Sequence, residues 1–459
     1  MSDLLLLDAT PATTPPITPA RTGIVHCERR VVRDDLGVFH PLGLTFFWAL
    51  YGWKFEREKV LAHLAWLQSK RLDYLRILGE VDWEGRSIDP NWPDYAVNLQ
   101  DFVDAAYAHG LRVELTIVGG RQYDVDTGAV RFVPPLLAHQ VAQALKGRET
   151  KVMHYEMANE YSRLDKVEED DLVDMARVVV AETPNLVALS CPMATPGTAE
   201  AELLAEDKDS TLTGAARMKL LTKQAGADAY VIHPRRSTHD NGWSHVRQGY
   251  DFKDFETAVW NNEPEGPQSS VVPMSDPLQL ACGRLLGILC GGAGYVLHVG
   301  QGVTGEADPK HGRPAFMWQV PNIDHMLAVV RGVDVLVPDG IENWTVVNNA
   351  RDAHPLPLPT SGFWEGSHGA EGVNKNYAAI AGAEWRVIIT GVRSRAAVGP
   401  VHIGTAKQGC HVEAYDPARA YLGLEPALIA VADLAAGQRW ELPGRADTMA
   451  AYWIRGQYQ

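Results

Sequence analysis

The stretch DFVDAAYAHGLRVELTIV (residues 101–118) passes from a helical pattern into a strand pattern within one turn. Its first part has helical spacing of apolar residues and ends at Gly110, a residue type that commonly follows helix C-termini. The run RVELTIV (Arg112–Val118) is rich in strand-forming residues and predicts a β-strand. This helix–turn–strand unit is the pattern that most of the chain repeats.

Strand-like runs recur on both sides of this unit, with starts about 36 residues apart on average. The predicted strands are GLTFF (43–47), YLRIL (74–78), RVELTIV (112–118), MHYEMAN (153–159), LVALS (186–190), AYVIH (229–233), TAVWN (257–261) and GYVLHV (294–299). Eight strands alternating with helices predict the α/β class and, within it, a (β/α)8 TIM barrel. The absence of a GxGxxG motif after the first strand counts against a dinucleotide-binding fold.

The pattern changes after Gly332, where short strand-like runs replace the helical spacing. We therefore predict a barrel over residues 23–332 and an all-β domain, a β-sandwich, over residues 333–459. The run Glu28–Gly43 predicts a hairpin with its turn at DDLG, placed to plug the bottom of the barrel. Residues 1–22 are rich in Pro and Thr and predict a flexible or surface-laid arm.

Composition excludes several classes of protein. The chain has 459 residues, 46% of them hydrophobic, and a formal charge of −15 without a basic run, which disfavours nucleic acid and anionic membranes as partners. Its five cysteines form no CxxC pair, which argues against a disulfide framework or a zinc ribbon. We expect no transmembrane segment and no Sec signal peptide, hence a cytoplasmic protein or one released by another route. The oligomeric state stays open.

Polar residues stand at the predicted C-terminal strand ends, where TIM barrels carry their chemistry. They are Arg76 on strand 2, Asn159 and Glu160 on strand 4, His233 on strand 6, and Asn261, Asn262 and Glu263 on strand 7. Two carboxyl groups facing each other across the rim can act as general acid and nucleophile in glycoside hydrolysis. Period-two alternation puts Asn159 and Glu160 on opposite faces, so the strand end must bend for both to reach one ligand.

Some of these residues also have a purely structural interpretation. The alternation places Glu156 on the same side as Glu160 but deeper in the strand, so we interpret it as a non-catalytic residue. Arg76 could belong to an ordinary buried ion pair, and His233, which precedes a proline, could simply cap a loop.

The motifs HYEMANE (His154–Glu160), AVWNNEPEGP (Ala258–Pro267) and YLRIL resemble those of glycoside hydrolase clan A, with families 5 and 39 the nearest and a divergent or new family open. The resemblance implies that Glu160 is the acid/base, that Asn159 binds the sugar 2-hydroxyl and that Glu263 is the nucleophile. It implies that Arg76 keeps the nucleophile ionised. The expected function is retaining hydrolysis of an oligosaccharide, polysaccharide or glycoside, with no metal and no cofactor.

The sequence departs from the pattern of the clan at three places. Arg235 stands where relatives often carry a tyrosine. GYVLHVGQGV lacks the expected strand 8 tryptophan, and His298 or Gln301 is expected in its space. Glu265 competes with Glu263 for the nucleophile role, although Pro264 turns the chain away before Glu265. An alternative is therefore a catalytically inactive carbohydrate-binding or particle-surface protein on the same scaffold, and a metal-dependent hydrolase is a more distant one.

Aromatic residues on the predicted rim loops are candidates for stacking on sugar rings. They are Trp48 and Trp53 on the first loop, Trp83 on the second, Tyr161 on the fourth and Trp243 on the sixth. Because sugar rings present flat C–H faces, such side chains would form substrate subsites. The alternative is that about half of them only pack the loops together.

Overall fold

A computed structural model describes the barrel segment and the strands of the C-terminal segment. The described residues are 21–28, 31–160, 167–190, 214–233, 258–263, 266–268, 280–281, 284–285, 287–288, 292–337, 340–343, 345–347, 375–381, 384–390, 401–405, 410–415, 428–435, 437–442 and 451–457. Within this part of the chain, no helix is both long enough and apolar enough to cross a membrane.

Eight parallel strands pair in chain order and close into a barrel, which confirms the predicted (β/α)8 architecture. The barrel strands are β4 (Leu42–Thr45), β5 (Tyr74–Glu80), β6 (Arg112–Val118), β7 (Val152–Ala158), β8 (Val187–Ser190), β9 (Ala229–Ile232), β10 (Ala258–Asn261) and β11 (Gly292–Leu297). The helices described between and beyond them are α1 (Ala49–Phe55), α2 (Arg57–Ser69), α3 (Tyr95–Ala108), α4 (Pro134–Ala144), α5 (Glu169–Glu182), α6 (Gly214–Ala225), α7 (Gln301–Thr304) and α8 (Ile323–Gly332).

Every residue of β5, β6 and β7 is buried, as expected for strands that face helices on one side and the barrel interior on the other. The helix-facing side of these strands is apolar. On the other side, polar residues occupy alternate positions, among them Arg76 in β5, Glu114 and Thr116 in β6, and His154 and Glu156 in β7.

An antiparallel sheet of β1 (His26–Glu28), β2 (Val31–Asp34) and β3 (Gly37–Phe39) precedes the barrel. Its β2–β3 pair forms the predicted hairpin. Val32 and Phe39 pack with Tyr74, Ala229 and Ala258, each the first residue of a barrel strand, so the hairpin closes the bottom. Apolar packing therefore fills this end.

A buried charge cluster fastens the hairpin to the barrel. Asp34 accepts hydrogen bonds from Arg21 and, at 2.8 Å, from Arg112 at the start of β6. Although burial alone would raise the pKa of Asp34, these two guanidinium groups hold it below its ordinary value. The bottom thus carries its own ion pairs, separate from those at the mouth.

The C-terminal segment has two short 3-10 helices, Val333–Leu336 and Ile341–Asn343, and from Thr345 onward its described elements are all β-strands. Six strands form an antiparallel sheet in the order β12-β13-β14-β19-β16-β17, and β15 pairs with β18. Their bounds are Thr345–Val347, Lys375–Ala381, Glu384–Thr390, Val401–Thr405, Cys410–Tyr415, Leu428–Leu434, Arg439–Leu442 and Ala451–Gln457 for β12 to β19. The sandwich and the domain boundaries stay predictions.

The lower barrel interior contains large aromatic rings that require glycine on neighbouring strands. A Cβ on Gly294 would lie 2.1 Å from Trp260 Nε1, and one on Gly43 would lie 2.5 Å from the ring of Tyr74. Neither position has space for a side chain, because the rings are fully buried and fixed by their neighbours.

Gly294→Ala should therefore destabilise the barrel by about 1–3 kcal/mol through overpacking. Gly287→Ala is the matched control, because no atom of the described residues beyond its own helix backbone lies within 4 Å of the Cβ position of this helical glycine, and alanine is the better helix former. Denaturant unfolding followed by tryptophan fluorescence measures both. Equal stability of the two variants would contradict the packing described here.

Candidate active site

The guanidinium of Arg76, on β5, lies between carboxyl groups of β6, β7 and the segment after β10, and has no exposed surface. Its Nη1 donates to Glu263 Oε1 at 2.8 Å, just past the end of β10. Its Nη2 donates at 2.8 Å to both Glu156 Oε2 and Asn159 Oδ1, on β7 and directly after it. Its Nε lies 3.2 Å from Glu114 Oε1 on β6. One arginine thus connects four strands.

Glu156 is surrounded by hydrogen-bond donors. Its Oε2 accepts from Arg76 Nε at 3.2 Å and Nη2 at 2.8 Å, from Thr116 Oγ1, and from Asn262 Nδ2 at 3.3 Å. Donors converging on one oxygen favour the ionised carboxylate. Glu156 thus lies within β7 as the acceptor of hydrogen bonds from three side chains, whereas Glu160 follows the end of this strand.

Glu114 has a different environment. Its Oε1 accepts from Asn262 Nδ2 and lies near Arg76, whereas no donor among the described residues reaches its Oε2. Burial, with the nearby charges of Glu156 and Glu263, raises the pKa of Glu114 well above its ordinary value despite the opposing effects of Arg76 and Asn262. Burial, with the charge of Arg76, lowers the pKa of the adjacent His154 to about 3, so this imidazole is neutral.

Glu160 and Glu263 face each other across the mouth with His233 beside them. One carboxylate oxygen from each and a ring nitrogen of His233 lie within 4.8 Å of one another. His233 Nδ1 is 3.4 Å from Glu160 Oε1 and 3.8 Å from Glu263 Oε2. All three residues are buried, with 3–6% of their surface exposed. The structure thus brings together the residues predicted from strands 4, 6 and 7.

The bend required after strand 4 is located at Glu160 itself. Asn159 N still donates to Val118 O at 2.8 Å, continuing the pairing with β6, and Glu160 then adopts φ +47°. A non-glycine residue in the left-handed region is strained, and such strain commonly occurs at functional sites. Because the chain turns here, Asn159 can contact Arg76 while Glu160 contacts His233.

His298 lies at the end of strand 8, where the clan commonly has a tryptophan. Its Nδ1 is 3.1 Å from Thr45 Oγ1, and its ring is 6.1 Å from that of Phe47. The ring of Trp83 in turn lies 6.4 Å from Phe47. With His298 only 7% exposed, this aromatic group forms a wall of the mouth beside β4.

The first-loop tryptophans require a correction. Trp48 is fully buried and packs edge-on against Phe46 and His63, and Trp53 is 6% exposed with Arg57 over its ring. Both indoles belong to the core around α1 and α2, where they cannot stack on a sugar. Tyr161 and Trp243, like Arg235, Pro264 and Glu265, lie outside the described residues.

Glu80, the last residue of β5, is a second buried carboxyl group near the rim. It lies 2.7 Å from Arg131 Nη1 and accepts from Gly120 N at 3.0 Å, which attaches the loop after β6 to the barrel. Burial outweighs both partners and raises its pKa to about 7. This carboxyl group supports a loop and is not exposed to the mouth.

Among the described residues, one group has donor atoms placed so that they could hold a metal ion. It consists of Glu160, His233 and Glu263. The guanidinium of Arg76 already supplies positive charge 2.8 Å from Glu263. A cation between the carboxylates would therefore be repelled at close range. The arrangement suits proton transfer and nucleophilic attack better than metal binding.

Sequence reasoning missed Glu114, Thr116 and His154 as components of the site, whereas Asn262 is among the polar residues at the end of strand 7. A signal was present, because Glu114 and Thr116 alternate with apolar residues in RVELTIV, as His154 and Glu156 do in the next strand. In a strand buried on both faces, polar residues at every second position indicate that they pair with one another inside the barrel.

No family model and no curated protein matches the sequence. Solved structures match the fold. A glycoside hydrolase family 5 structure from Bacteroides vulgatus aligns with a TM-score of 0.58 and 10% identity over 95% of this chain and 93% of its own. Another structure described as a glycoside hydrolase aligns with a TM-score of 0.59 and 10% identity over 95% and 96%. At the level of the fold, the resemblance to glycoside hydrolases predicted from the motifs is confirmed.

Arg76→Met should remove the charge that the buried carboxyl groups share and destabilise the fold by about 3–5 kcal/mol, because it leaves buried charge unpaired. Arg57→Met is the control, because its ion pair with Asp101 is about half exposed on both sides and contributes little. Urea unfolding monitored by circular dichroism measures the difference. If Arg76→Met lowers the free energy of unfolding no more than the control does, the ion pairs do not hold the mouth together.

Proposed function

We propose that the chain is a retaining glycoside hydrolase in which Glu160 is the general acid/base and Glu263 is the nucleophile. The observation that carries the proposal is the pair of buried carboxyl groups at opposite barrel strand ends with oxygens within 4.8 Å. Retaining enzymes hold their carboxyl groups ~5–5.5 Å apart, whereas inverting enzymes need ~6.5–9.5 Å to admit a water molecule. The short separation favours retention.

The surroundings of the two glutamates support different roles. Glu263 receives a hydrogen bond from Arg76, which favours its ionised form, as a nucleophile requires. Glu160 neighbours the imidazole of His233 instead, an arrangement in which a carboxyl group can hold and release a proton. Unlike environments for two nearby carboxyl groups are what separates acid from nucleophile.

The proposed reaction proceeds in two displacements. Glu160 donates its proton to the glycosidic oxygen while Glu263 Oε attacks the anomeric carbon, so the leaving group departs as an alcohol and a glycosyl ester forms. Glu160, now a carboxylate, takes a proton from water, whose oxygen attacks the same carbon and releases Glu263. Arg76 fixes the amide of Asn159 through Oδ1, and we propose that this amide binds a sugar hydroxyl.

The substrate is a carbohydrate under this proposal, with His298 and Phe47 as the wall against which the sugar would rest. An inactive carbohydrate-binding protein on the same scaffold is the competing function. Two of the predicted tryptophans are absent from the mouth, which is the observation that favours it. Turnover on a panel of aryl glycosides and polysaccharides separates the two, because binding without hydrolysis on any substrate would favour the inactive scaffold.

The stereochemistry of the product tests the mechanism directly. The first sugar released should have the same anomeric configuration as the substrate, because two inversions at one carbon restore it. Proton NMR of the anomeric signals during the first minutes, before mutarotation, measures this. Early accumulation of the opposite anomer would refute the double displacement.

Substitution of each glutamate should give a different kinetic signature. Glu263→Ala should abolish turnover, and azide should restore it by occupying the space of the carboxylate and forming a glycosyl azide. Glu160→Ala should retain activity on substrates with activated leaving groups, because these depart without protonation. Product analysis with and without azide, on aryl glycosides of differing leaving-group pKa, measures both effects.

Glu265→Ala is the matched control for the nucleophile, since this carboxyl group lies only two residues beyond Glu263. It should keep most of the activity. Loss of activity in Glu265→Ala with retention in Glu263→Ala would move the nucleophile to Glu265.

A further inference from the structure

Three carboxyl groups contact the single guanidinium of Arg76, and the positive charge of that group can neutralise only one of them. Each of the three side chains is 0–7% exposed, so an unpaired negative charge on any of them would destabilise the folded protein. Glu263 needs its charge for the proposed reaction. Of the other two, Glu114 and Glu156, at least one is therefore expected to carry a proton.

The hydrogen bonds distinguish these two carboxyl groups. Glu156 Oε2 accepts from Arg76, Thr116 and Asn262, an environment made for a carboxylate. Glu114 receives donors on Oε1 only, and its Oε2 has none among the described residues. An oxygen without a donor, in a residue with no exposed surface, is a position for a bound proton.

The neutral histidine on β7, His154, lies beside Glu114. His154 Nε2 lies 3.6 Å from Glu114 Oε1, and no hydrogen-bond partner among the described residues reaches either nitrogen of this imidazole. A neutral imidazole has one donor and one acceptor nitrogen and no charge, so His154 supplies no positive charge that would favour an ionised Glu114. The other groups around Glu114 are Tyr74 and Arg76 on β5, Glu156 on β7 and Glu263 after β10.

We propose that Glu114 is a permanently neutral acid and Glu156 the permanent anionic partner of Arg76, and that the pair acts as positioning residues for Glu263. Glu156 balances most of the guanidinium charge and fixes its orientation, while neutral Glu114 orients Asn262 without adding charge. Arg76 then divides its positive charge between Glu156 and Glu263. It holds Glu263 in place but stabilises its negative charge less than it would if Glu263 were its single partner, so this carboxylate stays more nucleophilic. The catalytic part rests on the proposed function; the charge assignment does not.

Glu114→Gln and Glu156→Gln form a matched pair, since both replace a buried glutamate by its neutral isostere. In the unfolded chain Glu114 ionises near pH ~4.3. If the folded protein keeps the proton, wild-type stability falls relative to Glu114→Gln as pH rises from 4.5 to 7.5, by up to about tenfold in the unfolding constant per pH unit. Glu156→Gln should instead be less stable than the wild type throughout this range, because it removes an anionic partner of the buried guanidinium.

Denaturant unfolding across this pH range measures both effects and needs no substrate. A fall in the stability of Glu114→Gln relative to the wild type with rising pH would overturn the assignment. If Glu114→Gln fails to fold, infrared spectroscopy of Glu160→Gln, which removes the proposed general acid, decides, because a protonated carboxyl band should persist at pH 8.5, where Glu80 with its pKa of about 7 is mostly ionised. Absence of that band would equally overturn the assignment.

The positioning role is tested by the pH dependence of kcat/KM. In Glu156→Gln, Glu263 becomes the main anion beside Arg76, so the acid limb should move to lower pH and kcat should fall. If the acid limb of Glu156→Gln does not move, the positioning role is overturned. The charge assignment is tested separately, by the stability measurements. A wild type without any glycosidase activity would refute the proposed function alone, because the unfolding measurements do not depend on turnover.

Discussion

A guanidinium group with no exposed surface is the constraint on which the mouth of this barrel depends. Arg76 can be buried only if other strands bring oxygen atoms to it, and β6, β7 and the end of β10 each do so. The strands are thereby fixed relative to one another at the C-terminal end of the barrel. A buried ion network of this kind contributes little net stability, but it specifies one arrangement of the groups around it.

The opposite end of the barrel is organised by apolar packing. Val32 and Phe39 of the hairpin cover the first residues of the barrel strands, and Gly43 and Gly294 make room for Tyr74 and Trp260 inside. The bottom thus combines apolar packing with the ion pairs of Asp34, and both lie apart from the polar groups of the mouth. This separation allows the mouth to hold strained and charged residues such as Glu160, because stability is supplied elsewhere.

The unlike surroundings of Glu160 and Glu263 follow from their places on the barrel. Glu263 leaves β10 beside Arg76, whereas the left-handed turn at Glu160 directs it toward His233. Below them, neutral Glu114 and anionic Glu156 would set how much of the charge of Arg76 reaches Glu263. In this interpretation, the acidity of the mouth is controlled by residues that a substrate does not touch.

The sequence by itself determined the barrel, its strand positions and the strand ends that carry polar groups, because hydrophobic spacing and strand length are local properties. RVELTIV was predicted with its observed bounds, and Arg76, Glu160, His233 and Glu263 meet at the mouth as expected. Only the tertiary structure decided that Trp48 and Trp53 pack in the core and that Glu114 and Glu156 share Arg76. The direction of a side chain and its protonation depend on neighbours far away in sequence, which no local pattern contains.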